Sequence, residues 1–494
     1  MKILIKPPVT VVYLVLLMVL SAQAFETLPS RSPYLNTVNA SHEVRLLDND
    51  TAALENLLHM IGRSRQSIEM EYFVFNPDRS GRLVLQALVK KADAGIKIRI
   101  LVDYNANGMK PGLDSFYHDE LARHGIELRY FNVADVLQFW KVGFRNHRKL
   151  LVVDDEEMLT GGRNIADGYF GMSNHMDYLD RDIWIKGPIV KIAAHGFDLF
   201  WSNPVVTNPR GPERPVFVRR TNPASSKMIA TQSQDMADYH ARIEAFRGRM
   251  ATTRNSLKAR DADRELGRAV AKLGNAELDK SPVLTIHSIT LVSDTPVPGD
   301  STRMVTPYLY QRIEGAKKSL LIENFMFMVK GEEKHALLRA LDRGVKIDLL
   351  TNGFNSEPNP LMAELANSRQ NMAVEHGMKV YCYCCAPQAD QVFSGNKAIW
   401  GLHTKTMVID GKDSVIGSYN LDSRSGWIND EGTVVVNDSP EFAHLLENKT
   451  RSRMQSATQM NPDGSYANGS HCYSPGRILT IILRPVAEIV SDQL

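Results

Sequence analysis

The chain has 494 residues, 43% of them hydrophobic and 23% charged, a globular composition that excludes a disordered or fibrous chain. That length points to two to four domains. The net charge of +2 gives no bulk positive field to draw in nucleic acid, so any phosphate binding must be local.

Lys2 and Lys6 precede an apolar run from Val9 to Leu20, which ends in Ser21-Ala22-Gln23-Ala24. This pattern predicts an export signal over 1–24, cleaved after Ala24. The run falls short of the roughly 20 residues that a membrane span needs, and a retained N-terminal anchor is the alternative. The mature chain is expected to be periplasmic or secreted and peripheral to a membrane.

Residues 25–45 read as an extended lead-in. Leu54, Leu57, Leu58 and Ile61 recur at helical spacing and predict a helix over 52–65. Strand 67–75, helix 83–94 closed by Gly95, strand 96–103, helix 114–124 and strand 126–131 follow. The run Val136 to Trp140 and Phe144 then lead to His147-Arg148-Lys149, with Asp154 closing a His-x-Lys-x(4)-Asp motif. Gly161-Gly162-Arg163-Asn164 comes next, and Asp182 opens a later strand.

A Pro-rich linker, 205–223, leads to a polar helix-prone stretch, 224–285. Met236, Tyr239, Ile243, Phe246 and Met250 mark one apolar stripe along it. It reads as a helical hairpin over the core; a membrane-contacting arm is the alternative.

After residue 285 the order of elements repeats. Strand 319–327 matches 67–75 at an offset of 252, and 344–350 matches 95–101 at 249. His403-Thr404-Lys405 and Asp410 match the first motif at 256, followed by Gly417-Ser418-Tyr419-Asn420. His to Asn spans 17 residues both times. Near-constant offsets indicate duplication of a whole domain. The expected domains are 41–223 and 286–450, followed by a loop and an apolar tail over 451–494. Cys382, Cys384 and Cys385 read as small apolar thiols in a buried strand; a bridge from Cys384 or Cys385 to Cys472 is the alternative.

Alternation along a strand puts His147 and Lys149 on one face, and His403 and Lys405 likewise. Brought together on a pseudo-twofold axis, the halves supply two His, two Lys and two Asn. Such a set suits a phosphodiester. Lys149, Lys405, Asn164 and Asn420 donate to its oxygens, one His attacks phosphorus, and the other moves the proton of the leaving alcohol. Asp182 and Glu431 are assigned as carboxylates that orient the imidazoles. Asp154 and Asp410 complete the candidate catalytic set but, at strand ends, are expected to hold a turn or salt bridge. Glu71 and Glu323, one per repeat, are read equally as structural pairs near the site or as residues with a functional role. No metal cofactor is expected, because Lys is a poor ligand and no ligand spacing occurs.

These paired motifs resemble the phospholipase D superfamily, and the texts Gly161 to Phe170 and Gly417 to Ser425 look most like bacterial cardiolipin synthases. The resemblance implies an α/β fold, two tandem phospholipase D-like α/β/α sandwich domains with a helical insertion between them. It also implies metal-independent phosphatidyl transfer through a phosphohistidine, with one chain sufficient for a complete site. The implied partners are a phospholipid membrane surface and an alcohol or water acceptor, and no nucleic acid. Hydrolysis by a secreted phospholipase D, a phosphodiesterase acting on nucleic acid, and an inert lipid-binding module are the competing readings. Trp140 and Trp400, ahead of the two motifs, are expected either to enter a bilayer interface or to pack against the opposite half.

Overall fold

The computed structural model describes residues 34–104, 106, 121–133, 143–207, 237, 241, 281–295, 303–353, 356, 360–384, 398–463 and 465–467. The expected export signal, most of helix 114–124, Trp140, nearly all of the 224–285 insertion, Cys385, Cys472 and the apolar tail lie outside these residues.

The strands in chain order are β1 (Leu35–Val38), β2 (His42–Leu47), β3 (Ser67–Tyr72), β4 (Lys97–Asp103), β5 (Ile126–Phe131), β6 (Lys149–Val153), β7 (Glu157–Gly161), β8 (Met176–Leu179), β9 (Asp182–Lys186) and β10 (Val206–Thr207). They continue as β11 (Val283–Ile286), β12 (Ile289–Ser293), β13 (Ser319–Asn324), β14 (Lys346–Asn352), β15 (Lys379–Tyr383), β16 (Ile399–Leu402), β17 (Lys405–Ile409), β18 (Asp413–Gly417), β19 (Gly432–Val436) and β20 (Ala457–Gln459).

Two nine-stranded mixed sheets carry the fold. The first runs β10-β5-β4-β3-β6-β7-β9-β2-β11 and the second β1-β12-β19-β18-β17-β13-β14-β15-β20. In each, the central strands β3/β4/β5 or β13/β14/β15 are parallel and the rest antiparallel. Helices Arg79–Asp93, Gly331–Asp342 and Pro360–Glu375 join β3 to β4, β13 to β14 and β14 to β15, the usual crossover for parallel strands. Helix Arg79–Asp93 is capped by Asp78, whose side chain accepts from Gly81 N. It ends before Gly95, where φ is 89°; Gly344 repeats the device at 84°. A left-handed turn there costs glycine nothing, and the chain re-enters the sheet at once.

The sheets sit in a layered stack. Helices Asp50–Arg63 and Arg79–Asp93 cover the outer face of the first sheet, and Val305–Gly315 and Gly331–Asp342 that of the second. Between the sheets lies one shared core. It joins Val152, Leu150 and Ile183 to Val408, Ile416 and Val434 through helices Ile189–Trp201 and Pro440–Gln455. The α/β/α expectation holds for each half, but the inner helical layer is common property.

The sheet boundaries do not follow the expected breaks at 41, 224, 286 and 451. β1 precedes the first half yet pairs with β12 in the second sheet. β11, within the expected insertion, pairs with β2 in the first. The halves have exchanged their leading strands. β20, expected in a loop, extends the second sheet beside β15. Cys382 is a buried thiol on β15 and donates to Gln370 Oε1 at 3.4 Å. Cys384 just beyond it is disulfide-bonded, which corrects the all-thiol reading.

Candidate active site

Each His-x-Lys stretch enters its sheet beside the parallel strands, and its entry is pinned by the other half. His147 N donates to Asp430 O at 2.9 Å, and His403 N donates to Leu179 O at 2.8 Å. β16, which leads into His403, pairs in parallel with β8 of the first half. The two motifs therefore meet where the halves meet, and His147, Lys149, His403 and Lys405 are all buried there.

The orienting carboxylates are crossed between halves. His147 Nδ1 lies 3.0 Å from both oxygens of Glu431. His403 Nδ1 lies 2.6 Å from Asp180 Oδ2. Lys405 Nζ is 2.9 Å from the same nitrogen, but a ring nitrogen has one role at a time. The nearer carboxylate makes Nδ1 the donor, while Lys405 and Lys149 donate to the carbonyls of His403 and His147. With both Nδ1–H groups engaged, Nε2 is the reactive nitrogen of each ring.

Asp182 does not hold a histidine, which corrects the expectation. It accepts instead from Arg163 N and Arg163 Nη1, each at 3.2 Å. Sheet register explains the slip. Gly161 pairs with Asp182 and Gly417 with Thr433, so the structural counterpart of Glu431 lies two residues before Asp182, at Asp180. The text offered a signal: both carboxylates stand three residues ahead of an apolar triplet, Ile183-Trp184-Ile185 or Val434-Val435-Val436.

Asp154 and Asp410 stand apart from the site, so they leave the candidate catalytic set. Asp154 accepts from the backbone N–H groups of Arg65, Gln66 and Ser67 at 2.7–2.9 Å. Asp410 does the same for Lys317, Lys318 and Ser319. Both adopt positive φ, near 55°, at the hairpin turn. They fasten the entry of β3 and β13, roughly 20 Å along the strand from each histidine.

Asn164 and Asn420 are buried near the histidines. Asn164 Oδ1 accepts from Val74 N at 3.1 Å, which leaves its amide nitrogen as the donor. Asn420 Oδ1 has no hydrogen-bond partner among the described residues. Phe73 lies 5.2 Å from Lys149 Nζ, and Phe325 5.0 Å from Lys405 Nζ. Trp400 is 1% exposed and packs into the shared core, so of the two expectations for it packing is the one observed.

Glu71 and Glu323 are buried ion-pair partners. Glu71 meets Arg148 at 3.2 Å and accepts from Asn146 Nδ2 at 2.6 Å. Glu323 accepts from Arg181 Nη1 at 2.7 Å and Arg453 Nη1 at 2.6 Å. Both arginines also hold Asp48 at 2.7 Å, and Arg453 Nη2 reaches Asp180 O at 3.2 Å. None of Asp180, Arg181 or Arg453 was singled out from the sequence, because their partners lie up to 405 positions away.

Burial dominates the electrostatics. It pushes His147 down to about 4, against the pull of Glu431. It pushes Lys149 down to about 7 and Lys405 to about 8. Burial also disfavours charge on Glu431, but His147, Lys149 and the Ser418 hydroxyl outweigh it and hold the carboxyl below its usual range. Burial raises Asp180 in spite of Lys405 and Arg163. The lysines are charged below these values and lose charge above them. Affinity for diethyl phosphate, a diester of fixed charge, is therefore expected to fall between pH 6 and 9 in calorimetric titration. A flat profile would mean lysines of ordinary basicity.

Among the described residues, no three His, Cys, Asp or Glu side chains are placed to hold a metal ion. What the site offers is two buried imidazoles held through Nδ1, two partly neutralised ammonium groups and two amides. That is a nucleophile, a proton carrier and donors for an oxyanion.

Comparison with known proteins gives the same picture. The family described as "Cardiolipin synthase, PLD-like domain" matches residues 57–194 and 309–454, one segment per half. Cardiolipin synthase C of Escherichia coli K12 is 27% identical over 420 residues, covering 81% of this chain and 82% of its own. A cardiolipin synthase of Clostridium perfringens is 23% identical over 403 residues, covering 81% of this chain and 68% of its own. The crystal structure of a phosphatidylserine synthase from Haemophilus influenzae superposes with a TM-score of 0.61 at 13% identity, covering 91% of this chain and 95% of that one. At that identity the likeness speaks for the fold.

Proposed function

This chain belongs to the family of cardiolipin synthase PLD-like domains, and from that membership and the crossed site we propose that it transfers the phosphatidyl group of one phospholipid to an alcohol of another through a phosphohistidine on His147. The observation that carries the reading is the Nδ1 contact of each histidine with a carboxylate of the opposite half. It directs both Nε2 atoms at one phosphodiester and makes a single chain a complete site.

In the first step His147 Nε2 attacks phosphorus and the P–O bond to the leaving alcohol breaks. His403 Nε2–H gives its proton to the departing oxygen. In the second step the acceptor hydroxyl gives its proton back to His403, and its oxygen displaces His147 from phosphorus. Burial and the two lysines depress His403 in the free site. A phosphodiester anion seated between the rings reverses that field and raises its proton affinity. Lys149, Lys405, Asn164 and Asn420 neutralise the oxygens as charge builds at phosphorus.

A site shut to water favours alcohol as acceptor, and the burial of both histidines supports transfer over hydrolysis. The protein is taken to act at a membrane surface after export. Incubation with vesicles of phosphatidylglycerol and phosphatidylethanolamine, with products read by mass, tests this. Cardiolipin is the expected product. Phosphatidic acid alone would replace transfer by hydrolysis, and cleavage of DNA with every lipid left intact would overturn the lipid reading.

A further inference from the structure

The two halves are unequal at the site, and much of the difference traces to one position. Five residues after the site asparagine, the second half has Ser425 and the first has Tyr169. Each touches its own asparagine. Ser425 Oγ accepts from Asn420 N at 3.1 Å, and the Tyr169 hydroxyl is hydrogen-bonded to the Asn164 side chain. Beyond that contact they diverge.

Ser425 Oγ donates to Glu431 Oε1 at 2.7 Å, and Ser418 donates to the other oxygen. Glu431 thus takes two hydroxyls as well as the His147 ring. The first half has no such pair on Asp180 among the described residues. Gly162 stands where Ser418 stands, and a Cβ there would meet Asp180 Oδ1 at 2.1 Å.

Tyr169 instead turns its ring to His403, with centroids 5.0 Å apart and planes at 82°. It stacks at 5.3 Å on Tyr178, which lies 5.5 Å from His403, and Phe325 closes a third side at 5.0 Å. His147 has one aromatic neighbour among the described residues, Phe73 at 4.8 Å.

The two surroundings suit different tasks. A carboxylate loaded with hydroxyl donors is a weak proton acceptor. It keeps its charge and stabilises positive charge on a ring already bonded to phosphorus. A cage of aromatic rings stabilises a cationic imidazole through their quadrupoles without taking its proton. That proton stays available for transfer.

We propose that the residue five positions after each asparagine is a positioning residue that divides the work: Ser425 commits His147 to attack on phosphorus, and Tyr169 commits His403 to proton transfer. This rests on the phosphatidyl-transfer reading. The step forms the N–P bond with the His147 lone pair, and the P–O electron pair leaves on the alcohol oxygen. That oxygen takes its proton from His403.

Leaving-group dependence tests the division. From phosphatidylglycerol the leaving group is a glycerol alkoxide that needs a proton, whereas phosphatidyl-p-nitrophenol releases a stable phenolate that does not. In the first turnover, before His403 is needed as a base, Tyr169→Leu is expected to slow glycerol release about 100-fold and nitrophenol release by less than about threefold. Tyr169→Phe keeps the ring and should stay within about threefold of wild type on both. Ser425→Ala is expected to slow both esters alike, by about tenfold. The ratio of the two rates in one preparation is independent of the fraction folded, so misfolding cannot imitate the result. Equal slowing of both esters by Tyr169→Leu, or a leaving-group effect in Ser425→Ala, would overturn the assignment. Wild-type protein that cleaves neither ester would overturn the phosphatidyl-transfer reading, and the assignment with it.

Discussion

Replacing His147 by alanine is expected to abolish turnover, lowering the rate by at least about 10⁴-fold, and His403→Ala is expected to do the same. The equality follows from the geometry. Each imidazole is oriented by the other half, through Glu431 at 3.0 Å and Asp180 at 2.6 Å, so neither half keeps a working remnant when the other loses its ring. The two variants should nevertheless fail at different stages. With the p-nitrophenyl ester, His403→Ala should release one burst of nitrophenol per chain and stop, because attack proceeds but no base activates the acceptor. His147→Ala should show no burst. The burst species should carry phosphorus on the peptide that contains residue 147. Substantial steady-state activity in either variant would contradict a shared site.

The second large effect concerns stability. Arg181, Arg453, Asp48 and Glu323 form a four-membered ion cluster between the halves, and the side chains of both arginines and Glu323 are 0% exposed. Arg453 alone reaches Glu323, Asp48, Thr404 Oγ1 at 2.8 Å and the carbonyl of Asp180. Arg453→Met removes one positive charge and leaves two carboxylates against the remaining arginine and the more distant Lys449 in a buried site. Breaking a buried pair in this way costs about 3–5 kcal/mol, most of it the stranded charge. A large drop in the midpoint of urea unfolding, followed by tryptophan fluorescence, is therefore expected. Replacing all four members by apolar residues of similar volume should cost much less, since no charge is then left unpaired. A loss below about 1 kcal/mol for Arg453→Met would mean that solvent reaches the cluster.

Much of this arrangement could be read from the text, and the limits have physical causes. Strand alternation put His147 beside Lys149 and His403 beside Lys405, and duplication implied that the two pairs meet. Alternation fixes a face, however, not a register. Asp180 and Asp182 share a parity, so alternation could not choose between them; pairing of Gly161 with Asp182 and of Gly417 with Thr433 does. The turn role of Asp154 and Asp410 was legible because a carboxylate after a strand has backbone N–H groups within reach. The ion cluster was not. Its members come from four separate parts of the chain, and no local pattern links Asp48 to Arg453. Nor does any periodicity say that a leading strand joins the opposite sheet, since a strand bears the same residues in either.

That exchange of leading strands bears on how the chain can be made. β1 is synthesised some 250 positions ahead of its partner β12 and the rest of the second sheet. The first sheet likewise keeps an open edge at β2 until residues 283–286 have left the ribosome. An open edge invites pairing with the wrong chain, and contacts this distant in sequence form slowly. The order of synthesis therefore leaves the first half unsealed until the second has begun to appear. Cutting the gene between the halves would give two fragments, each lacking the strand that the other carries.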